Sequence, residues 1–349
     1  MKKLFVLIVA LGMVGFTVPA VAAEWSFYGS ARMATFWTDV DGGDIKGDDE
    51  GLEWGQQGNA RIGARVKGET VGGRFEYGEG PNLRMLYGTW NFGSGRILLG
   101  QTYTPVNMFY SNQVFGADNG LLDVGGVYGG RHAMINLQMA GFEIALVEPQ
   151  TASPVGTDGD GDTTTPKIEA AYGFSTDQFN VKVVGGYQTY EVEDSTDAGT
   201  YDVDAWVVAG GGGVDFGPAY VRGNIFVAQN YSNYGLVNWN LPAGSNAGFA
   251  QIVAGDIEDS DDFGFIAVVG FKASDMLSFE GGYGWVSHEL DVSGSNEDET
   301  TEYYVQAVIT IAPGFFIVPE VGFFDYDENG AGVDEGDMTY FGAKWQMNF

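Results

Sequence analysis

The sequence predicts an all-β protein: a transmembrane antiparallel β-barrel of sixteen strands with one connecting loop folded inward. Three observations predict it. Apolar and polar residues alternate along segment after segment, and the connections between segments alternate between short and long. The composition is rich in glycine, 55 of 349 residues, and in aromatic residues, 14%. Abundant glycine disfavours helices, and aromatic side chains favour strands. A period of two marks a strand, and in a membrane barrel it turns an apolar face to lipid and a polar face to the lumen.

Residues 1–23 stand apart from this pattern. Lys2 and Lys3 precede an apolar run over 4–18, then Pro19 and the small residues Ala20, Val21, Ala22 and Ala23. This predicts a secretory signal peptide with an Ala-x-Ala type cleavage site. The run is short for a spanning helix, which needs about 20 apolar residues. The mature unit is then 24–349, and it holds no other stretch apolar enough for a membrane helix. Residence in a membrane must therefore come from strands.

The segments follow in order. Ala60, Ile62, Ala64 and Val66 oppose Asn59, Arg61, Gly63, Arg65 and Lys67. Phe263, Phe265, Ala267, Val269 and Phe271 share a face, as do Leu277, Phe279, Gly281, Tyr283 and Trp285 after a turn. Tyr303, Val305, Ala307, Ile309 and Ile311 lead into Ala312-Pro313-Gly314, and Phe315, Ile317, Pro319, Val321 and Phe323 return. Pro319 interrupts the last of these, because proline cannot donate to a ladder. At the end, Thr339, Phe341, Ala343, Trp345, Met347 and Phe349 oppose Tyr340, Gly342, Lys344, Gln346 and Asn348.

Strands are predicted near 25–38, 57–68, 71–79, 83–92, 95–104, 131–140, 141–149, 166–174, 179–191, 201–216, 219–230, 262–272, 277–288, 301–312, 315–326 and 338–349. An even count suits a bacterial single-chain barrel. Short turns fall at 175–178, 217–218 and 273–276. Long polar links fall at 39–56, 105–130, 151–165, 192–200, 231–261, 289–300 and 327–337. Short turns at one rim and long loops at the other are the outer-membrane pattern.

Charge excludes several functions. There are 16 Lys+Arg against 47 Asp+Glu, a formal net charge of −31. Nucleic-acid binding calls for a basic stripe instead. Without cysteine there are no disulfides, thiolate zinc sites or thiol catalysis. His132 and His288 are the two histidines, too few for a multi-histidine metal site, and no serine spacing singles out a catalytic pair. No enzyme activity and no cofactor are expected. Asp158-Gly159-Asp160-Gly161-Asp162 begins like a calcium loop, but position six is Thr163 rather than glycine. A flexible acidic loop is expected there, with weak calcium binding as the alternative.

The acids gather in the long links: Asp39, Asp41, Asp44, Asp48, Asp49, Glu50 and Glu53 in the first, with further groups near 256–262, 297–299 and 327–337. A vestibule of one sign concentrates counter-ions. The bases gather early in the chain. Arg32, Arg61, Arg65 and Arg74 alternate with apolar neighbours and are expected to form one basic wall on the lumen side. The link TPVNMFYSNQVFGADNGLLDVGGVYGG, 104–130, is unusually apolar and carries two acids, Asp118 and Asp123. Such a loop is costly in water and is expected to fold into the lumen, with both acids facing the basic wall. Opposed charges at close quarters make a passage selective.

The segments YGSARM at 28–33, NARIGARVKGE at 59–69 and FGSGRILLGQTYTP at 92–105, with the terminal Phe349 of an alternating last strand, resemble the general bacterial porins. These are the trimeric diffusion channels of Gram-negative outer membranes. The resemblance implies a constriction loop after the TP segment, basic residues on the first strands, and a homotrimer in contact with membrane lipid and lipopolysaccharide. It also implies assembly through recognition of the last strand at Phe349. The chain differs from that family in having few acids in the constriction loop. A barrel of this strand number leaves an aqueous channel. The expectation is passive diffusion of small hydrophilic solutes and ions, with a mild preference for cations because acids outnumber bases. The rival readings are a channel that binds one substrate and an adhesive barrel with a plugged lumen.

Overall fold

The computed structural model describes residues 23–43, 49–80, 82–156, 161–193, 199–236 and 247–349. The expected signal peptide lies outside them except for Ala23. Asp44, Asp48, Asp158, Gly159 and Asp160 also lie outside. Among the described residues, sixteen barrel strands run in chain order, every one antiparallel to its neighbours. They are β1 (Glu24–Asp41), β2 (Asp49–Gln56 continued by Arg61–Lys67), β3 (Val71–Gly78) and β4 (Leu83–Asn91). Next come β5 (Arg96–Tyr103), β6 (Arg131–Met139), β7 (Phe142–Val147) and β8 (Gly161–Asp162 continued by Lys167–Ser175). Then follow β9 (Phe179–Glu193), β10 (Thr200–Phe216), β11 (Ala219–Gln229) and β12 (Ser260–Lys272). The last four are β13 (Leu277–Leu290), β14 (Asp298–Ala312), β15 (Phe315–Asp325) and β16 (Asp337–Asn348).

Closure leaves no sheet edge, which a chain in hydrocarbon requires. β16 pairs with β1 from Asp337↔Asp41 to Asn348↔Ser30. The seam ends in a two-way backbone link, Gly29 N to Phe349 O at 2.8 Å and Phe349 N to Gly29 O at 3.0 Å. Gly29 is needed there, because a Cβ would sit 2.6 Å from the Phe349 ring.

The expected parity holds. Phe263, Val269, Phe279, Ile309, Phe341, Trp345 and Met347 are exposed on the outside, while Tyr340, Lys344 and Gln346 point inward and are buried. Many strands start or end a few residues from the expected positions. The largest difference is in β2, which begins at Asp49 and pairs with Met33–Val40 of β1. Asp49, Glu50 and Glu53 therefore belong to a strand and not to a loop. The sequence hides this half-strand because it is short and its acids, Asp49, Glu50 and Glu53, continue the acidic run of the link before it. Between the halves, Gln57 N turns in to Arg32 O at 3.0 Å. Pro319 faces outward opposite Ala343 of β16, and on its other side the β14–β15 pairing skips from Gln306↔Glu320 to Ile309↔Ile317. The gap falls where the missing proline N–H would have been used.

A charge on the outer belt is expected to cost about 2–4 kcal/mol near mid-membrane. Ile225→Arg, outward on β11, is expected to lower the stability of the folded barrel by that amount in a urea titration. Asn180→Arg, inward on β9, is expected to leave it nearly unchanged.

Candidate functional site: an infolded segment against a basic wall

Residues 104–130 enter the barrel after β5 and leave into β6. A two-residue ladder, Asn107–Met108 with Val127–Tyr128, ties the neck together, and Gly129 N bonds Val106 O at 2.7 Å. Val106, Met108, Tyr110, Val114, Phe115, Leu121 and Val124 are buried, as their apolar character predicts. Phe115 stacks on Tyr340 of β16 at 3.9 Å and meets Phe36 of β1 edge-on at 5.4 Å.

The segment's polar backbone is satisfied by carboxylates of the wall. Glu169 of β8 accepts from Val106 N at 2.8 Å. Glu280 of β13 accepts from Asn112 N at 2.7 Å and Asn112 Nδ2 at 2.6 Å. Glu320 of β15 accepts from Val114 N at 2.7 Å and Phe115 N at 2.9 Å. Glu302 of β14 accepts from Gln113 Nε2, and Gln113 Oε1 in turn accepts from Leu121 N at 2.8 Å. Donors from the wall complete the grip: Lys182 Nζ to Asn107 O at 2.7 Å, and Asn224 Nδ2 to Gly125 O at 2.8 Å. Inward glycines make the seat. A Cβ at Gly282 would lie 2.9 Å from Leu121 Cδ1, and one at Gly211 would lie 2.6 Å from the Tyr110 ring.

A second segment also folds inward, against the expectation of an external polar link at 231–261. Tyr231 and Tyr234 are fully buried. Tyr231 N bonds Asp262 Oδ2 at 2.7 Å, and Tyr234 OH reaches Glu169 Oε1 at 3.1 Å. Lys167, itself buried, bonds Tyr234 O at 2.7 Å and lies 3.6 Å from the centre of its ring. Two apolar rings flanking Ser232 and Asn233 drive this packing. Glu169 thus holds both infolded segments at once.

The two segments pack against β8–β16 and β1, and a cleft stays open along β2–β6. It is lined by Arg61, Arg84, Tyr103 and Arg131 of the wall and by Phe109 and 116–120 of the infolded segment. The wall cations are held in place. Glu76 of β3 accepts from Arg74 at 2.6 Å and Arg84 at 2.9 Å, and Arg61 stands 3.7 Å away. Tyr28 OH donates to the same carboxylate at 2.8 Å, and the Arg65 guanidinium lies over the Tyr28 ring at 5.3 Å. Arg131 bonds Tyr103 OH at 3.0 Å. At the loop rim a separate cleft is lined by Asp39, Asp41, Asp49, Glu50 and Asp337.

The predicted site residues divide accordingly. Arg32, Arg61, Arg65 and Arg74 share the inner wall. Asp118 meets it, bonded to Arg32 and to Lys344 Nζ at 2.7 Å. Asp123 does not. It is buried on the far side of the segment, bonded by Asn119 and close to Tyr231 and Tyr326. It lies four residues after Asn119, and the turn between them points the two acids of the segment in opposite directions. Arg84, Arg131 and Lys344 belong to the wall and were missed. Lys344 was visible as an inward position of the last strand. Phe349 lies at the seam, exposed.

No protein-family model matches the sequence, and no curated protein matches it. Solved structures do match the fold. The outer-membrane channel DcaP of Acinetobacter baumannii aligns with a TM-score of 0.72 at 16% identity, over 96% of this chain and 99% of that one. The anion-selective porin from Comamonas acidovorans aligns at 0.61 and 12% identity, over 94% and 100%. OmpF of Salmonella typhi, in complex with daunomycin, aligns at 0.60 and 15% identity, over 93% and 97%. This chain therefore has the fold of the Gram-negative outer-membrane porins.

Removing a wall carboxylate strands buried N–H donors, which costs about 1–3 kcal/mol each. Glu320→Ala and Glu280→Ala are each expected to leave a heat-stable barrel but expose 108–122 to protease. Single-channel traces are expected to become noisier than wild type.

Proposed function

We propose that the protein is an outer-membrane channel for passive diffusion of small hydrophilic solutes, and that its narrow passage favours anions. The observation that carries this reading is the cleft itself. Arg61, Arg84 and Arg131 line it, and its one acid, Asp118, is already engaged by Arg32 and Lys344. The acids win by number over the whole chain, which is why the sequence points to cations. Their positions weaken that argument. Glu169, Glu280 and Glu320 are committed to the infolded segment, and the rim acids Asp39, Asp41, Glu50 and Asp337 share the outward parity of Trp37, Trp54 and Phe341. Salt screens exposed charges over about 8 Å at physiological strength. Charges in a narrow, partly desolvated passage act more strongly. No reaction is part of this reading.

A channel that binds its solute is the second reading. Phe109 is 51% exposed inside the lumen, beside Tyr103 at 5.0 Å and Tyr128 at 6.1 Å, and could seat an apolar part of a solute. We further propose that residues 116–120 set the narrowest point, that the chain assembles as a homotrimer, and that Phe349 serves in assembly.

Reversal potentials across a salt gradient in planar bilayers test the main reading. Anion preference is expected for wild type at low salt, weakening as salt rises. Arg131→Gln and Arg84→Gln are each expected to shift it toward cations. Cation preference in wild type, unmoved by these substitutions, would contradict it. A current that saturates with one solute would favour the second reading.

A further inference from the structure

The pairing at the tip of the infolded segment has the form of a bound ligand. The Asp118 carboxylate places Oδ2 on Arg32 and Oδ1 on Lys344, the latter at 2.7 Å. The two cations come from neighbouring strands, β1 and β16, and both are buried. Arg32 is oriented by a bond from its Nε to Ser30 Oγ at 3.1 Å. Asp118 keeps 26% side-chain exposure and lines the same cleft as Arg61, Arg84 and Arg131. A solute in that cleft therefore meets Asp118 first, with Arg32 and Lys344 buried directly behind it.

We propose that Arg32 and Lys344 form a carboxylate-binding site for the permeating solute, which Asp118 fills when no solute is present. This rests on the anion passage argued above.

The backbone shows how Asp118 could leave. Gly116, Ala117, Asp118, Gly120 and Leu121 all have positive φ, between 57° and 70°. Non-glycine residues avoid this region unless their surroundings impose it. At Ala117 and Asp118 the hold is the Asn59 amide on Ala117 O, the bond from Asp118 N to Val114 O at 3.2 Å, and the two cations on the carboxylate. The flanks are anchored separately. Glu280 holds Asn112, Glu320 holds Val114 and Phe115, and Gln113 holds Leu121. Asp118 N stays on Val114 O at 3.2 Å and Asn119 N on Phe115 O at 3.0 Å, so it is the Asp118 side chain that turns out of the pair while the clamp and the backbone of the tip keep their places. Two buried cations left without an anion are costly, so Asp118 departs only as another anion arrives. The step is an exchange: a solute carboxylate takes the two donors, the Asp118 side chain turns aside, and the reverse follows when the solute passes on.

The test uses the full-length protein in planar bilayers with sodium acetate as the probe. Asp118→Asn removes the tethered competitor and keeps its shape. Asp118→Gly also suits the left-handed backbone, and so guards against misfolding of the tip. In both variants the acetate concentration that half-saturates the current is expected to fall at least about ten-fold. The basis is that a tethered group competes at an effective concentration in the millimolar range or above. Adding Lys344→Met to either variant is expected to return saturation to the wild-type range. Equal acetate dependence in wild type and both Asp118 variants would overturn the proposal, as would a drop that Lys344→Met leaves in place. Failure of the anion reading would show separately, as cation preference of wild type in chloride.

Discussion

The interior depends on wall glutamates that accept backbone N–H groups from a segment inside the barrel. Glu169, Glu280 and Glu320 each bind main-chain donors of 104–130, and Glu302 holds the side chain that braces its turn. A loop in the lumen has left water on one side and finds no strand to pair with. Its donors must be met or the segment leaves, since an unmet buried donor is costly. Glu169, Glu280 and Glu320 each meet two or more donors and form the stronger, charge-assisted kind of bond. The grip is therefore chemical as well as steric.

That grip makes the lumen asymmetric. Glu169, Glu280, Glu302 and Glu320 lie where the segment sits, and Arg61, Arg84 and Arg131 line the cleft it leaves open. The same inner face thus changes from anchoring surface on β8–β16 and β1 to passage on β2–β6. Net charge is a poor guide to such a channel. Much of its acidity is structural or lies at the rim, while Arg61, Arg84 and Arg131 line the open cleft. Glu76 prevents the arginine cluster from being purely repulsive, and it fixes Arg74 and Arg84 in position.

The strands were legible because period two survives throughout, down to the inward Lys344 and the outward Trp345. The infolding of 104–130 was legible from its apolar residues, and Asp118 from its place opposite the early arginines. The clamp was not read, although its signal existed: Glu280, Glu302 and Glu320 each occupy an inward position in mid-strand, where an acid needs a partner. Gly282 and Gly284 on the same face marked the space for it. Asp123 was misplaced because spacing within an irregular loop does not say which way a side chain points. The inward turn at Tyr231 and Tyr234 was obscured by the polar residues around them. The early start of β2 at Asp49 was obscured by its acids. Glu169 was legible only as one more strand acid, because its role depends on two segments distant in sequence.

The central claim is that solutes pass along β2–β6 while the β13–β15 side is sealed by the infolded segment. The chain has no cysteine, so single-cysteine accessibility reads this directly. A charged thiol reagent is applied during conductance recording. Asn82→Cys and Tyr103→Cys are predicted to react and to change the current at once. Val286→Cys and Val318→Cys, on the inner face behind the segment, are predicted to stay silent. Rapid modification of all four positions, with equal effects on the current, would contradict the account.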